Sequence, residues 1–179
     1  MKKTITILAI IATVIFTACD EIPGPVGPPG EDGVSFLGKI FETPPIDFTS
    51  ENNYEFLFEF PTNFEIYETD IVMVYILWEQ VDGSDNQPID VWRALPQTII
   101  LNEGILQYNF DYTFIDVKIF LDGDIDFRTL LPAEKDNQIF RIAVLPAEFA
   151  KLKSVDINDF GTVMEGLQIQ SNEIQRINF

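Results

Sequence analysis

Apolar and polar positions alternate with period two along much of the chain. Tyr54, Phe56, Phe58 and Phe60 alternate with Glu55, Leu57 and Glu59, and Leu106, Tyr108, Phe110, Tyr112 and Phe114 alternate with Gln107, Asn109, Asp111 and Thr113. Successive side chains of a strand point to opposite faces, so each segment predicts a strand with an aromatic face on a core and a polar face in water. Residues 71–78 are apolar at both parities, which predicts a central strand covered on each side. Shorter runs predict strands over 36–41, 98–101, 117–121, 139–145 and 174–179, the last closing on Phe179. Turn chemistry separates them in Asp82-Gly83-Ser84-Asp85-Asn86, Asn102-Glu103-Gly104 and Asp122-Gly123-Asp124, the second short enough for a hairpin.

Helical signals are few. Pro146 opens a segment to Lys151 that predicts a single turn, and Asp156 is placed to cap a helix ending near Leu167, weakened by Gly161 and Gly166. Many short strands and little helix predict an all-β fold. The expected form is an antiparallel β-sandwich, immunoglobulin-like in general shape, with one or two short C-terminal helices; a partly open barrel is the alternative.

The first 33 residues follow another pattern. Lys2 and Lys3 precede an apolar run over 5–16, interrupted only by Thr6 and Thr13. It is shorter than the about 20 residues that cross a bilayer, so it reads as an export signal. Its end, Phe16-Thr17-Ala18-Cys19, resembles a bacterial lipobox, with Phe16 where an aliphatic residue is usual. The resemblance implies a lipoprotein signal peptide over 1–18 and lipidation of Cys19, the only cysteine, with two or more acyl chains giving stable anchoring. Asp20 and Glu21 resemble the acidic signal that sends Bacteroidota lipoproteins to the exterior face of the outer membrane. Gly24, Gly27, Gly30 and Gly33 then recur with the collagen Gly-X-Y period. Three triplets are too few for an independent triple helix. Residues 19–33 therefore predict a proline-rich tether, roughly 40 Å long at about 3.1 Å per residue. A strand that threads a groove in a partner is the alternative. The sandwich domain occupies 34–179.

Composition narrows the role. A length of 179 residues suits one domain with a short appendage, and 46% apolar residues with 16 phenylalanines supply a core. The 11 basic and 29 acidic residues give a net charge of −18, which excludes phosphate-binding surfaces of the kind nucleic acids need. Without Lys2 and Lys3 the charge falls to −20, which predicts that the globular part stands off an anionic lipid surface. There is no histidine to serve as general base, the lone cysteine excludes an internal disulfide, and no glycine-rich phosphate loop is present. Acids are abundant, but no spacing singles out a pair for glycoside hydrolysis. A non-enzymatic role is the expectation.

Two constellations carry candidate chemistry. Asp122, Asp124 and Asp126 lie two apart, so on an extended segment their carboxylates share one face and would suit Ca2+; the competing reading is a solvated turn. Trp92 and Arg93 form a candidate ligand or partner contact, through sugar stacking or as an interface anchor, whereas Trp78 ends an apolar strand and predicts core. Arg141, inside an apolar strand, predicts a pair with a carboxylate.

The lipobox, the acidic residues and the Gly-Pro-Pro-Gly repeat are joined downstream by Tyr75-x-x-Trp78, Val91-Trp92-Arg93, Leu95-Pro96-Gln97-Thr98, Leu131-Pro132-Ala133-Glu134 and Phe140-Arg141-Ile142. Together they resemble a family of collagen-like Bacteroidota outer-membrane lipoproteins over nearly the whole chain. The resemblance implies no activity and no catalytic residues. The expected function is a membrane-anchored, surface-exposed lipoprotein acting as an accessory subunit of an outer-membrane protein partner. The alternative is a surface glycan-binding module built on Trp92.

Overall fold

The alternating segments pair into two sheets. The computed structural model describes residues 38–84, 87–151 and 155–177. Cys19, the tether glycines Gly24, Gly27, Gly30 and Gly33, and the strand-end residues Phe36 and Phe179 lie outside the described residues. The first sheet has the order β4-β3-β8-β1-β9, with β1 Lys39–Glu42, β3 Ile71–Asp82, β4 Pro88–Ala94, β8 Phe140–Leu145 and β9 Gln175–Arg176. The second has the order β2-β7-β6-β5, with β2 Glu55–Glu59, β5 Gln97–Ile100, β6 Ile105–Tyr112 and β7 Asp116–Gly123. Every strand pairing is antiparallel except β1 with β9. The architecture is the all-β sandwich that the period-two pattern predicts.

The main core lies between the sheets. Phe41, Val72, Val74, Ile76, Phe140 and Ile142 of the first sheet meet Phe58, Leu106, Tyr108, Val117 and Ile119 of the second. The Phe41 ring lies 5.2 Å from Phe58 and 5.4 Å from Phe64, so aromatic packing joins the layers. The other face of the first sheet is also covered. Ile40, Tyr75, Ala143 and Leu145 pack against Phe149 and against Phe160, Val163 and Leu167 of a helix. A helix on one side and a sheet on the other explain why residues 71–78 are apolar at both parities.

Two one-turn or two-turn helices serve these cores. Helix α1, Pro132–Lys135, offers the Glu134 carbonyl to the buried Tyr108 hydroxyl. Helix α2, Phe160–Leu167, is preceded by Ile157, whose carbonyl accepts from the Tyr75 hydroxyl. The α2 cap is Asp159, whose carboxylate accepts from the N–H groups of Gly161 and Thr162 at 2.8 and 3.2 Å. This corrects the expected cap: the Asp156 carboxylate accepts instead from the Asn158 N–H in the preceding turn. Gly166, a weakness in a helix taken alone, is needed here, because a Cβ would lie 2.8 Å from the Phe149 ring.

Three other expectations change. Strand β3 runs past Trp78 to Asp82, and β4 pairs with it as an edge strand opened by Pro88, a position that tolerates proline. Strand β6 stops at Tyr112, so Phe114 leaves the ladder, and Tyr112 and Phe114 are 47% and 61% exposed. Strand β9 is limited to Gln175–Arg176 of the segment expected over 174–179.

Candidate functional site

The tryptophans and arginines come together around β3 and β4. Leu77 faces Trp92 and Ile76 faces Arg93 across the ladder, and an irregularity between Leu77 and Glu79 inserts Trp78. A bulge adds one residue to one strand and re-aims its side chain. Trp78 is half-buried beside the main core, and the Arg93 guanidinium lies 4.1 Å above its ring. Trp92 points to the opposite face, half-buried beside Phe160 at 5.7 Å, with the Arg141 guanidinium 3.9 Å above its ring. Each indole therefore has an arginine where a sugar would stack.

Arg141 finds the carboxylate its position demands. Its Nε and Nη2 donate to Glu42 Oε2 at 2.9 and 2.7 Å, and Arg176 Nε donates to Glu42 Oε1 at 3.1 Å. The Arg141 and Glu42 side chains are only 11% and 15% exposed, so the pair is largely desolvated and stands by satisfying both partners. Arg176–Glu42–Arg141–Trp92 is a polar seam along the helix-covered face. Beside it, Trp92, Arg93, Leu95, Pro96 and Asn158 border an open cleft of about 350 Å³.

The three aspartates do not converge. Asp122 Oδ1 accepts from the Gly123 N–H at 2.8 Å, Asp124 Oδ1 from the Ile105 N–H at 2.6 Å, and Asp126 Oδ2 from Arg128 Nη2 at 2.6 Å. The extended spacing breaks at Gly123, with φ of +147°, where a Cβ would collide with the Ile105 carbonyl oxygen. Hydrogen bonding from Arg128 holds the Asp126 carboxyl down at about 2. Among the described residues no group of three or more His, Cys, Asp or Glu side chains is arranged to hold a metal ion.

A larger concavity lies elsewhere. A cleft of about 600 Å³ opens between the start of β1 and the loop before β3, with Lys39, Phe64, Glu65, Tyr67, Asp70 and Glu148 in its wall. The alternation rule could not reveal it, because it is lined from a loop. Fold and site thus define an all-β sandwich with a helix-covered outer face and arginine-capped indoles. No family model, curated protein or solved structure matches the chain.

Proposed function

We propose that this is a lipid-anchored outer-membrane lipoprotein of the collagen-like Bacteroidota type, facing the exterior and acting as a non-enzymatic accessory subunit that binds an outer-membrane protein. The observation that carries the reading is the β3–β4 ribbon. Beyond the bulge, residues 79–82 and 88–90 are exposed on both faces, and Val81 pairs with Ile89 at 42% and 54% exposure. Strand β4 is also the terminal strand of its sheet, and an open edge is a template for a partner's strand. The lipobox at Cys19 supplies the anchor. Glycan binding on Trp92 needs a bare indole face, which Arg141 covers, whereas docking along the ribbon needs no rearrangement.

The test is affinity capture of the protein from its native envelope, followed by mass spectrometry, with a Val81→Lys/Ile89→Lys variant alongside. The native ribbon should recover an outer-membrane protein that the variant loses. Crosslinking that repeatedly recovers the protein alone would overturn the reading. A Cys19→Ala chain should move to the soluble fraction.

A further inference from the structure

One end of the sandwich, where the described residues begin at Gly38, carries exposed apolar side chains. The turn between β6 and β7 is tightly held: the Thr113 N–H donates to the Asp116 carbonyl at 2.9 Å, Thr113 Oγ1 to Asp116 Oδ1 at 2.6 Å, and the Ile115 N–H to Thr113 Oγ1 at 3.1 Å. The Ile115 carbonyl accepts from the Phe60 N–H at 2.9 Å, which ties the turn to the chain leaving β2. This rigid frame presents Phe114 and Ile115 to solvent at 61% and 59% exposure, with Tyr112 at 47% and Tyr67 at 59% beside them. Phe114 is a wall of two clefts, of about 170 and 350 Å³. Tyr67 lines the first of these and also the 600 Å³ cleft that Gly38 borders. Gly38 is the first described residue, and 18 residues separate it from Cys19.

We infer that this end of the domain lies on the neutral-lipid interface of the membrane, with Phe114 and Ile115 inserted and Tyr67 and Tyr112 at headgroup level. The inference rests on the lipid-anchor reading of Cys19. Phenylalanine and isoleucine partition into the hydrocarbon boundary, while tyrosine places a ring in it and a hydroxyl in water. Two inserted side chains alone bind weakly, but a tether raises the local concentration of the surface enough for a weak contact to persist. Glu65, Glu68 and Asp70 border the patch, so the contact is with zwitterionic lipid and weakens as anionic lipid is added. The opposite end offers an internal control: Ile100, paired with Ile105 at the far end of β6, is 85% exposed.

The experiment uses protein purified from its membranes and reconstituted into phosphatidylcholine vesicles with brominated acyl chains. Quenching is compared for Phe114→Trp and Ile100→Trp, each measured above the unsubstituted chain. The expected result is at least about twofold stronger quenching at position 114, diminished when phosphatidylglycerol replaces part of the lipid. Equal quenching at the two positions overturns the inference and leaves the anchor intact. A Cys19→Ala chain that stays on membranes overturns the anchor reading, while the quenching comparison still decides this one. A chain that never incorporates overturns both.

Discussion

The two faces of the first sheet are covered by different means. Toward the second sheet, Phe41, Phe140 and Ile142 are wholly buried and meet other apolar side chains, many of them aromatic. Toward α2, the same sheet offers Ile40, Tyr75 and Leu145, but also the Glu42–Arg141 seam and the half-buried Trp92. The first face is closed by the alternating strands together with loop side chains such as Phe48 and Phe60. The second is closed by an eight-residue helix, which is too short to be stable away from the surface it packs on. The sandwich is thus the cooperative unit, and the helical layer depends on it.

That asymmetry can be broken by matched deletions. Phe41→Ala, at the centre of the sandwich, should cost about 3–5 kcal/mol and lower the denaturant midpoint of the whole domain. Phe160→Ala removes the helix residue that touches Tyr75 and Trp92, and should cost about 3 kcal/mol, the lower end of the same range. Amide exchange separates the two. The first variant should raise exchange throughout, the second first in residues 160–167. Identical exchange patterns would show that the layers unfold as one.

Each layer also has one buried tyrosine, which makes a finer comparison. Tyr108→Phe and Tyr75→Phe each orphan a backbone carbonyl, of Glu134 and Ile157 respectively, at a cost of about 1–2 kcal/mol in chemical denaturation. Burial raises both hydroxyl pKa values above the ordinary 10.0. The folded value exceeds the unfolded one, so this contribution is complete below pH 10 and is lost as pH rises from there through the folded values. Stability should therefore fall above pH 10, less steeply in the double phenylalanine variant.

The parts legible in the sequence are those with strong local signals. Glu55–Glu59 and most of Ile105–Tyr112 alternate cleanly, so strand and inward face follow directly. Strand β4 was hidden because Pro88 and Asp90 interrupt its apolar run, and only pairing with β3 makes it a strand. Alternation also extends by inertia. It carries Phe114 into the core, although the hydrogen bonds that the Thr113 hydroxyl donates to Asp116 and accepts from Ile115 turn the chain one residue after β6 ends. The arginine-capped indoles and the cleft around Tyr67 were illegible for a different reason: they join residues distant in sequence, such as Arg141 with Trp92 and Lys39 with Glu148. Arg141 was half-legible, since a charge in an apolar strand demands a partner but does not name Glu42.

The smallest predicted effect bears on what holds the helical layer. Arg141→Lys keeps the charge but cannot donate from two nitrogens to Glu42 while covering the Trp92 ring with a planar group. If apolar contacts of Phe160, Val163 and Leu167 secure α2, the substitution should cost about 1 kcal/mol, the worth of the one hydrogen bond to Glu42 that lysine cannot replace. Its signature should be local: altered Trp92 fluorescence, with exchange in residues 160–167 unchanged. Faster exchange across the helix, matching that of Phe160→Ala, would assign the layer's attachment to the polar seam instead, and the two faces of the sheet would then differ in the kind of force that closes them as well as in its amount.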